Sequence, residues 1–190
     1  MARSCGFDRE QKLEQAMQLF WQKGFANTSI ADLVQRLGIN RFSLYNSFGD
    51  KQALYEAALQ RYLAKATQHL QPLMQPDAGL AQIEVFLRQF EQRQQDNPFG
   101  CFIQNAVVEY AGTDAMVTAQ AQQLFSQVQV ALRSALENGQ QQGDISLKLS
   151  ADDLAALMLV QMQGMRVLSK AQRYQDISRA VDSLLQILRS

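Results

Sequence analysis

The sequence predicts an all-α protein of about nine helices, an N-terminal three-helix helix-turn-helix unit followed by a larger helical one. Three observations carry that reading. Apolar residues recur at three- and four-residue spacing along most of the chain, with no strand-like alternation and no internal repeat. Only three prolines and ten glycines interrupt 190 residues that are 47% hydrophobic, so long helices form easily and a sizeable core can be buried. Asp, Asn or Ser stands ahead of several periodic stretches, where its side chain can cap free backbone N–H groups.

The first helix, over residues 8–23, places Leu13, Ala16, Met17, Phe20 and Trp21 on one face, with Asp8 as its cap and Gly24 as its stop. Asn27 or Thr28 is expected to cap the next, whose inward set is Ile30, Leu33, Val34 and Leu37 and whose Asp32 and Arg36 form an i,i+4 pair. Gly38 ends it, because a residue without Cβ takes the left-handed conformation a tight turn demands. Ile39 is expected as the buried pivot of that turn. Asn40 caps a third, short helix held by Leu44 and Phe48, which leaves Arg41, Phe42, Ser43, Tyr45, Asn46 and Ser47 on the rest of its surface. Two short helices joined through a glycine turn have the composition and spacing of a helix-turn-helix.

Gly49 and Asp50 then lead into a long helix over residues 51–70, with Leu54, Ala58, Leu59, Tyr62 and Ala66 inward. Pro72, Pro76 and Gly79 mark the first credible boundary, so residues 1–50 read as the helix-turn-helix domain, 51–71 as a connecting helix and 72–190 as a second domain. Within the second domain, residues 80–95 are amphipathic and residues 100–112 are apolar enough to suggest an interior helix. A further helix starts at Gly112-Thr113-Asp114 and runs to Gly139 or Gly143. Residues 151–171 are apolar on nearly every side and therefore buried on more than one face; residues 174–189 close the chain. Ser150 precedes the former, although Asp153 in place of Glu makes a poor capping box.

Formal net charge is zero, but its distribution is uneven. Residues 1–65 hold nine Lys or Arg against six acids, and the remainder holds nine against twelve, so the basic excess sits with the helix-turn-helix. One histidine and two distant cysteines, Cys5 and Cys101, exclude a His-based metal centre and a disulfide framework; both thiols are expected to be reduced and no cofactor is implied. No phosphate loop or nucleophile–base pairing supports an enzyme. With no apolar run near the ~18 residues that cross a bilayer and no leader, the protein is expected to be soluble and cytoplasmic, without membrane association.

The order Gly24-Phe25, Thr28-Ser29-Ile30-Ala31-Asp32-Leu33, Gly38-Ile39, Leu44-Tyr45-Asn46-Ser47-Phe48 and Lys51-Gln52-Ala53-Leu54 resembles the TetR family of one-component transcriptional regulators over about 60 residues. The resemblance implies a homodimer bound to a palindromic double-stranded DNA operator. It casts Thr28 and Ser29 as a helix N-terminus facing phosphate, Tyr45 and Lys51 as backbone clamps, and Arg41, Phe42, Ser43 and Asn46 as base-edge candidates. Many members carry Gly or Pro where Phe42 stands and His where Ser47 stands, so a typical member's base preference does not carry over.

For the remaining 130 residues the resemblance implies dimerisation through the last two helices, with Gly164 allowing close approach, and an unidentified small-molecule effector. The stretch from Gly100 to Glu109 is similar to a Gly-Cys-x-x-x-Asn-x-x-x-Glu segment of a subgroup, some of whose members sense electrophiles through cysteine. Cys101 is expected just inside a helix, with Asn105 and Glu109 on the same face; helix N-termini favour thiolates, whereas most single cysteines simply pack. The expected effector pocket includes Phe86, Phe90, Cys101, Phe102, Asn105, Phe125, Met158 and Met162. The resulting reading is a repressor released by a small molecule or by thiol modification. The alternatives are an activator without small-molecule control and a helix-turn-helix that serves protein interaction.

Overall fold

A computed structural model describes residues 7–110 and 112–189. Among them are nine α-helices and no strand: α1 (Arg9–Lys23), α2 (Ile30–Leu37), α3 (Arg41–Phe48), α4 (Lys51–Gln68), α5 (Leu80–Asp96), α6 (Phe102–Glu109), α7 (Ala115–Gln142), α8 (Ala151–Lys170) and α9 (Tyr174–Arg189). A single 3-10 turn, Gln71–Met74, carries the proline-rich stretch. Cys5 lies outside the described residues. No helix among those described is long and apolar enough to cross a membrane, and no group of side chains could hold a metal ion.

The expected helices are present, and their ends follow local chemistry. Asp8, Asn40, Asp50, Asp114 and Ser150 each accept a backbone N–H from the first turn of the helix they precede. Ser150 caps α8 well despite Asp153, since Asp153 N–H reaches the Ser150 hydroxyl at 3.1 Å and that hydroxyl donates to the Asp153 carboxylate at 2.6 Å. The apolar segment at residues 100–112 is less interior than its composition suggests: α6 buries Phe102, Ile103 and Ala106 but leaves Val108 exposed.

Among the N-terminal helices α2 packs on α1 and α3, and α1 and α3 pack on α4, which also meets α6 and α7. Tyr55 is the centre of this junction. Fully buried, its ring meets Phe20 at 5.1 Å, Phe25 at 5.0 Å, Phe102 at 5.5 Å and Tyr110 at 6.1 Å between centroids, so aromatic contacts run unbroken from α1 through α4 to α6. Burial, with Tyr110 and Glu109 nearby, pushes the Tyr55 phenol up from its ordinary value. Beyond the junction α7, α8 and α9 form a packed layer, and α5 is tied to α9 by Arg88–Asp182 at 2.5 Å and Arg189–Glu84 at 2.6 Å.

On α8 the apolar composition resolves into two faces. Met158, Met162 and Met165 are buried within the chain, whereas Val160 is 69% and Val167 58% exposed. Gly164 lies beside them with nothing within 4 Å of where a Cβ would stand.

Candidate nucleic-acid interface and a cavity behind it

The third helix, α3, is short, and a helix of two turns does not persist in water unaided. Leu44 and Phe48 plug it into the core. Asn40 accepts the Ser43 N–H at 2.8 Å, and Arg9 on α1 donates to the Ser47 carbonyl at 3.2 Å while lying 5.0 Å from the Phe48 ring centroid. The opposite face holds Arg41, Phe42, Tyr45 and Asn46, all exposed, with Phe42 at 80%. Exposure that large on an aromatic ring is unfavourable in a lone protein and acceptable where a partner covers it. Arg41 lies 5.6 Å from the Tyr45 ring centroid and 3.5 Å from its hydroxyl, so the two side chains are partly ordered together. Ser43 and Ser47 are half-buried at the flanks. Lys51, at the start of α4, rests its ammonium 4.1 Å from the Phe25 ring centroid.

At the start of α2 the expected roles change. The cap is Ser29, not Asn27 or Thr28: Ser29 accepts the Asp32 N–H at 3.0 Å, and the Asp32 carboxylate accepts the Ser29 N–H at 2.8 Å and its hydroxyl at 2.6 Å. Thr28 is fully buried, its hydroxyl donating to the Gly24 carbonyl at 2.6 Å, so it cannot offer that hydroxyl to a phosphate in this conformation. Asp32 pairs with Lys23 at 2.8 Å instead of Arg36, which reaches Gln18. The Lys23 ammonium, then the Ser29 bonds, hold the Asp32 carboxyl well below the usual range. Ile39 is half-buried, a rim contact of the turn more than its pivot.

The turn between α1 and α2 is held from the far side. Glu109, the last residue of α6, accepts the Phe25 N–H at 3.0 Å and the Ala26 N–H at 2.7 Å. Gly24 makes this approach possible with φ 81° and ψ 172°, a region open almost only to glycine, and an added Cβ would stand 2.9 Å from the Glu109 carboxylate. Replacing Glu109 by alanine is expected to lower stability by about 1 kcal/mol, since two charge-assisted bonds at an exposed site are lost. Thermal unfolding checks this, and a melting temperature equal to wild type contradicts it.

Behind the interface lies a cavity of about 580 Å³ bounded by α1, α2, α4, α5, α7 and α8. Of the expected pocket residues, Phe86, Phe90 and Met162 line it. The others do not, each for its own reason. Cys101 is the residue before α6, fully buried, and its Sγ accepts the Tyr62 hydroxyl at 3.2 Å. Phe102 belongs to the aromatic junction, and Met158 is packed in the core. Phe125 rests half-buried against that core. Asn105 lines a separate groove, donating to the Phe99 carbonyl at 2.9 Å and accepting Lys170 at 2.7 Å. Asn105 and Glu109 share that groove, whereas Cys101 is buried away from it, so the three do not converge on one site.

Sequence reasoning missed Trp21, His69, Arg93, Gln94 and Arg166, all of which line the cavity. Its wall includes Met17, Gln18 and Trp21 of α1 and Arg36 of α2, so it touches the helices that position α3.

A pinned two-turn helix with an exposed outward face, set on a glycine turn beside a second short helix, defines a helix-turn-helix DNA-binding protein. The family model described as "Bacterial regulatory proteins, tetR family" matches residues 13–58, and that of the "Tetracyclin repressor-like, C-terminal domain" matches residues 79–184. The chain belongs to the TetR family, and it is a DNA-binding transcriptional regulator, not an enzyme. It is 29% identical over 167 residues to the HTH-type transcriptional repressor ComR of Escherichia coli K12, covering 85% of this chain and 79% of that one. A TetR transcriptional regulator from Chloroflexus aurantiacus J-10-FL superposes with a TM-score of 0.81 at 25% identity, over 94% of this chain and 92% of that one. A cysteine mutant of the regulator CifR complexed with 26-bp double-strand operator DNA superposes with a TM-score of 0.78 at 25% identity, over 97% and 98% of the two chains.

Proposed function

We propose that this regulator is a homodimeric repressor that grips a palindromic operator through two copies of α3 and leaves it when a small effector occupies the cavity. The observation that carries the reading is the outward face of α3, where Arg41, Phe42, Tyr45 and Asn46 stand exposed on a helix fixed from behind. Arg41 suits guanine edges, Asn46 adenine, Phe42 a thymine methyl and Ser43 either kind of base; Ser29, Ser47, Tyr45 and Lys51 serve the backbone. In this reading residues 1–50 are the reading domain, residues 51–71, which contain α4, the connection, and residues 72–190 the effector and dimerisation domain. Release needs only differential affinity: a ligand in a cavity walled by α1 and α2 favours one placement of the reading helices over another.

The test is binding of the purified protein to fragments flanking its own gene across a salt series. Affinity is expected to fall by about 10³-fold or more between 50 and 200 mM salt, as about six or more phosphate contacts require. Binding indifferent to salt, or to no genomic fragment, would contradict the reading.

The exposed Val160 and Val167 beside the open Gly164 support α8 as the surface that meets the second copy. Val160→Asp buries a charge in that interface and is expected to yield monomers by light scattering and to abolish operator binding with α-helical content unchanged. A dimeric variant with full affinity would move the interface elsewhere. Complete burial of Cys101 favours ligand occupancy over thiol modification as the trigger. Cys101→Ser is accordingly expected to release DNA in response to a quinone or hypochlorite no differently from wild type; a response confined to wild type restores the thiol.

A further inference from the structure

The cavity holds more positive charge than its neighbours neutralise. Arg93 on α5 and Arg166 on α8 both line it and both are half-buried, yet among the described residues no carboxylate lies within ion-pair distance of either guanidinium. Arg166 donates to the neutral Gln163 amide at 2.9 Å and lies 5.4 Å from the Phe90 ring centroid. Burial, then the Arg166 charge, lowers the Arg93 pKa from its ordinary value.

The remaining charges at the site do not offset this pair. Glu14 is held by Arg61 and Lys65, each at 2.6 Å, and Asp96 is exposed and accepts the Gln92 amide at 2.9 Å. Arg36 adds a further cation at the α2 side. Two like charges brought together out of water are costly until an anion joins them. The chain's single histidine, His69, faces the same cavity and is held below its usual pKa by burial and by Arg93.

Polar and apolar features complete the site. The Trp21 indole N–H and the Gln94 side-chain amide oxygen Oε1 are buried with no partner among the described residues, and both residues line the cavity. Around them Phe86, Phe90, Leu124, Val128 and Met162 provide an apolar wall. A large apolar pocket with a few convergent polar groups is how proteins hold small organic molecules, and guanidinium groups are the preferred partners of carboxylate-like oxygens.

We infer that the cavity binds an organic anion, a carboxylate or sulfonate whose charged group lies with Arg93 and Arg166 and whose apolar body rests on Phe86, Phe90 and Met162. The indole N–H of Trp21 donates to one of its oxygens. The inference rests on the effector reading above and narrows it to one chemical class. It excludes organic cations, which the guanidinium groups of Arg36, Arg93 and Arg166 would repel.

The experiment titrates the full-length protein with 8-anilinonaphthalene-1-sulfonate and with N-phenyl-1-naphthylamine, the same ring system without the sulfonate. Wild type, Arg93→Gln and Arg166→Gln are compared by fluorescence, with thermal melts confirming the fold. Wild type is expected to bind the sulfonate about tenfold or more tightly than the neutral amine, and each variant to lose about tenfold for the sulfonate alone. Arg93→Lys, which keeps the charge, is expected to retain the preference for the anion, and the His69 ring titration should move to higher pH on sulfonate binding. If one glutamine variant does not fold, the other decides. Equal binding of the two probes, or sulfonate affinity unaffected by both variants, overturns the anion assignment and leaves the effector reading standing. Failure of both probes to bind overturns both.

Discussion

Replacing Tyr45 and Lys51 together by alanine is expected to lower operator affinity by about 10³-fold while the protein remains a folded dimer. On the proposed contacts each subunit would lose two to the DNA backbone, so a dimer would lose four at about 1 kcal/mol apiece. The two substitutions act differently. Tyr45→Ala removes a neutral donor and the ring that orders Arg41 at 5.6 Å, so affinity drops at every salt concentration. Lys51→Ala removes two cations per dimer, so the slope of log affinity against log salt becomes shallower by about 2. Fluorescence anisotropy over a salt series measures both, with light scattering as the control on assembly. A double variant within tenfold of wild type would show that these side chains do not touch DNA. Loss of a protein partner with DNA binding intact would favour the interaction-protein alternative.

The largest effect on stability is expected at Tyr55. Tyr55→Ala leaves a hole among four aromatic rings and should cost about 3–5 kcal/mol of unfolding free energy. Tyr55→Phe keeps the ring and is expected to stay within about 1 kcal/mol of wild type. Equilibrium denaturation of both variants provides the comparison. A small loss in Tyr55→Ala would mean that the junction between α1, α4 and α6 collapses around the gap, and that these elements are joined more loosely than the ring contacts imply.

Periodicity was sufficient to find the helices, because it reports which face of each one turns inward. It also found Leu44 and Phe48 behind the reading helix, and the resulting exposed face of Arg41, Phe42, Tyr45 and Asn46. Partner choice was less legible. Asp32 has Arg36 four residues on, yet pairs with Lys23, because the turn after α1 brings Lys23 to the start of α2, where Asp32 is already fixed by Ser29. Thr28 and Ser29 are adjacent and chemically alike, and only the path of the chain decides that one is buried and the other caps.

The cavity shows the limit most clearly. Inward-facing residues such as Phe86, Phe90, Met158 and Phe102 look equivalent in sequence, and whether each borders a void or another side chain depends on how six helices meet. Arg93 and Arg166 escaped notice for a different reason. Charged residues in an amphipathic pattern are read as solvated, and nothing local marks the two that α5 and α8 turn toward a common space.

No residue of α3 lines that space, although α1 and α2 both do. A molecule bound there can reach the reading helix only by shifting what holds it. Under the proposed release an occupant therefore governs how often an operator is covered, while the proposed choice of base, carried by α3 alone, stays the same whether the cavity is full or empty.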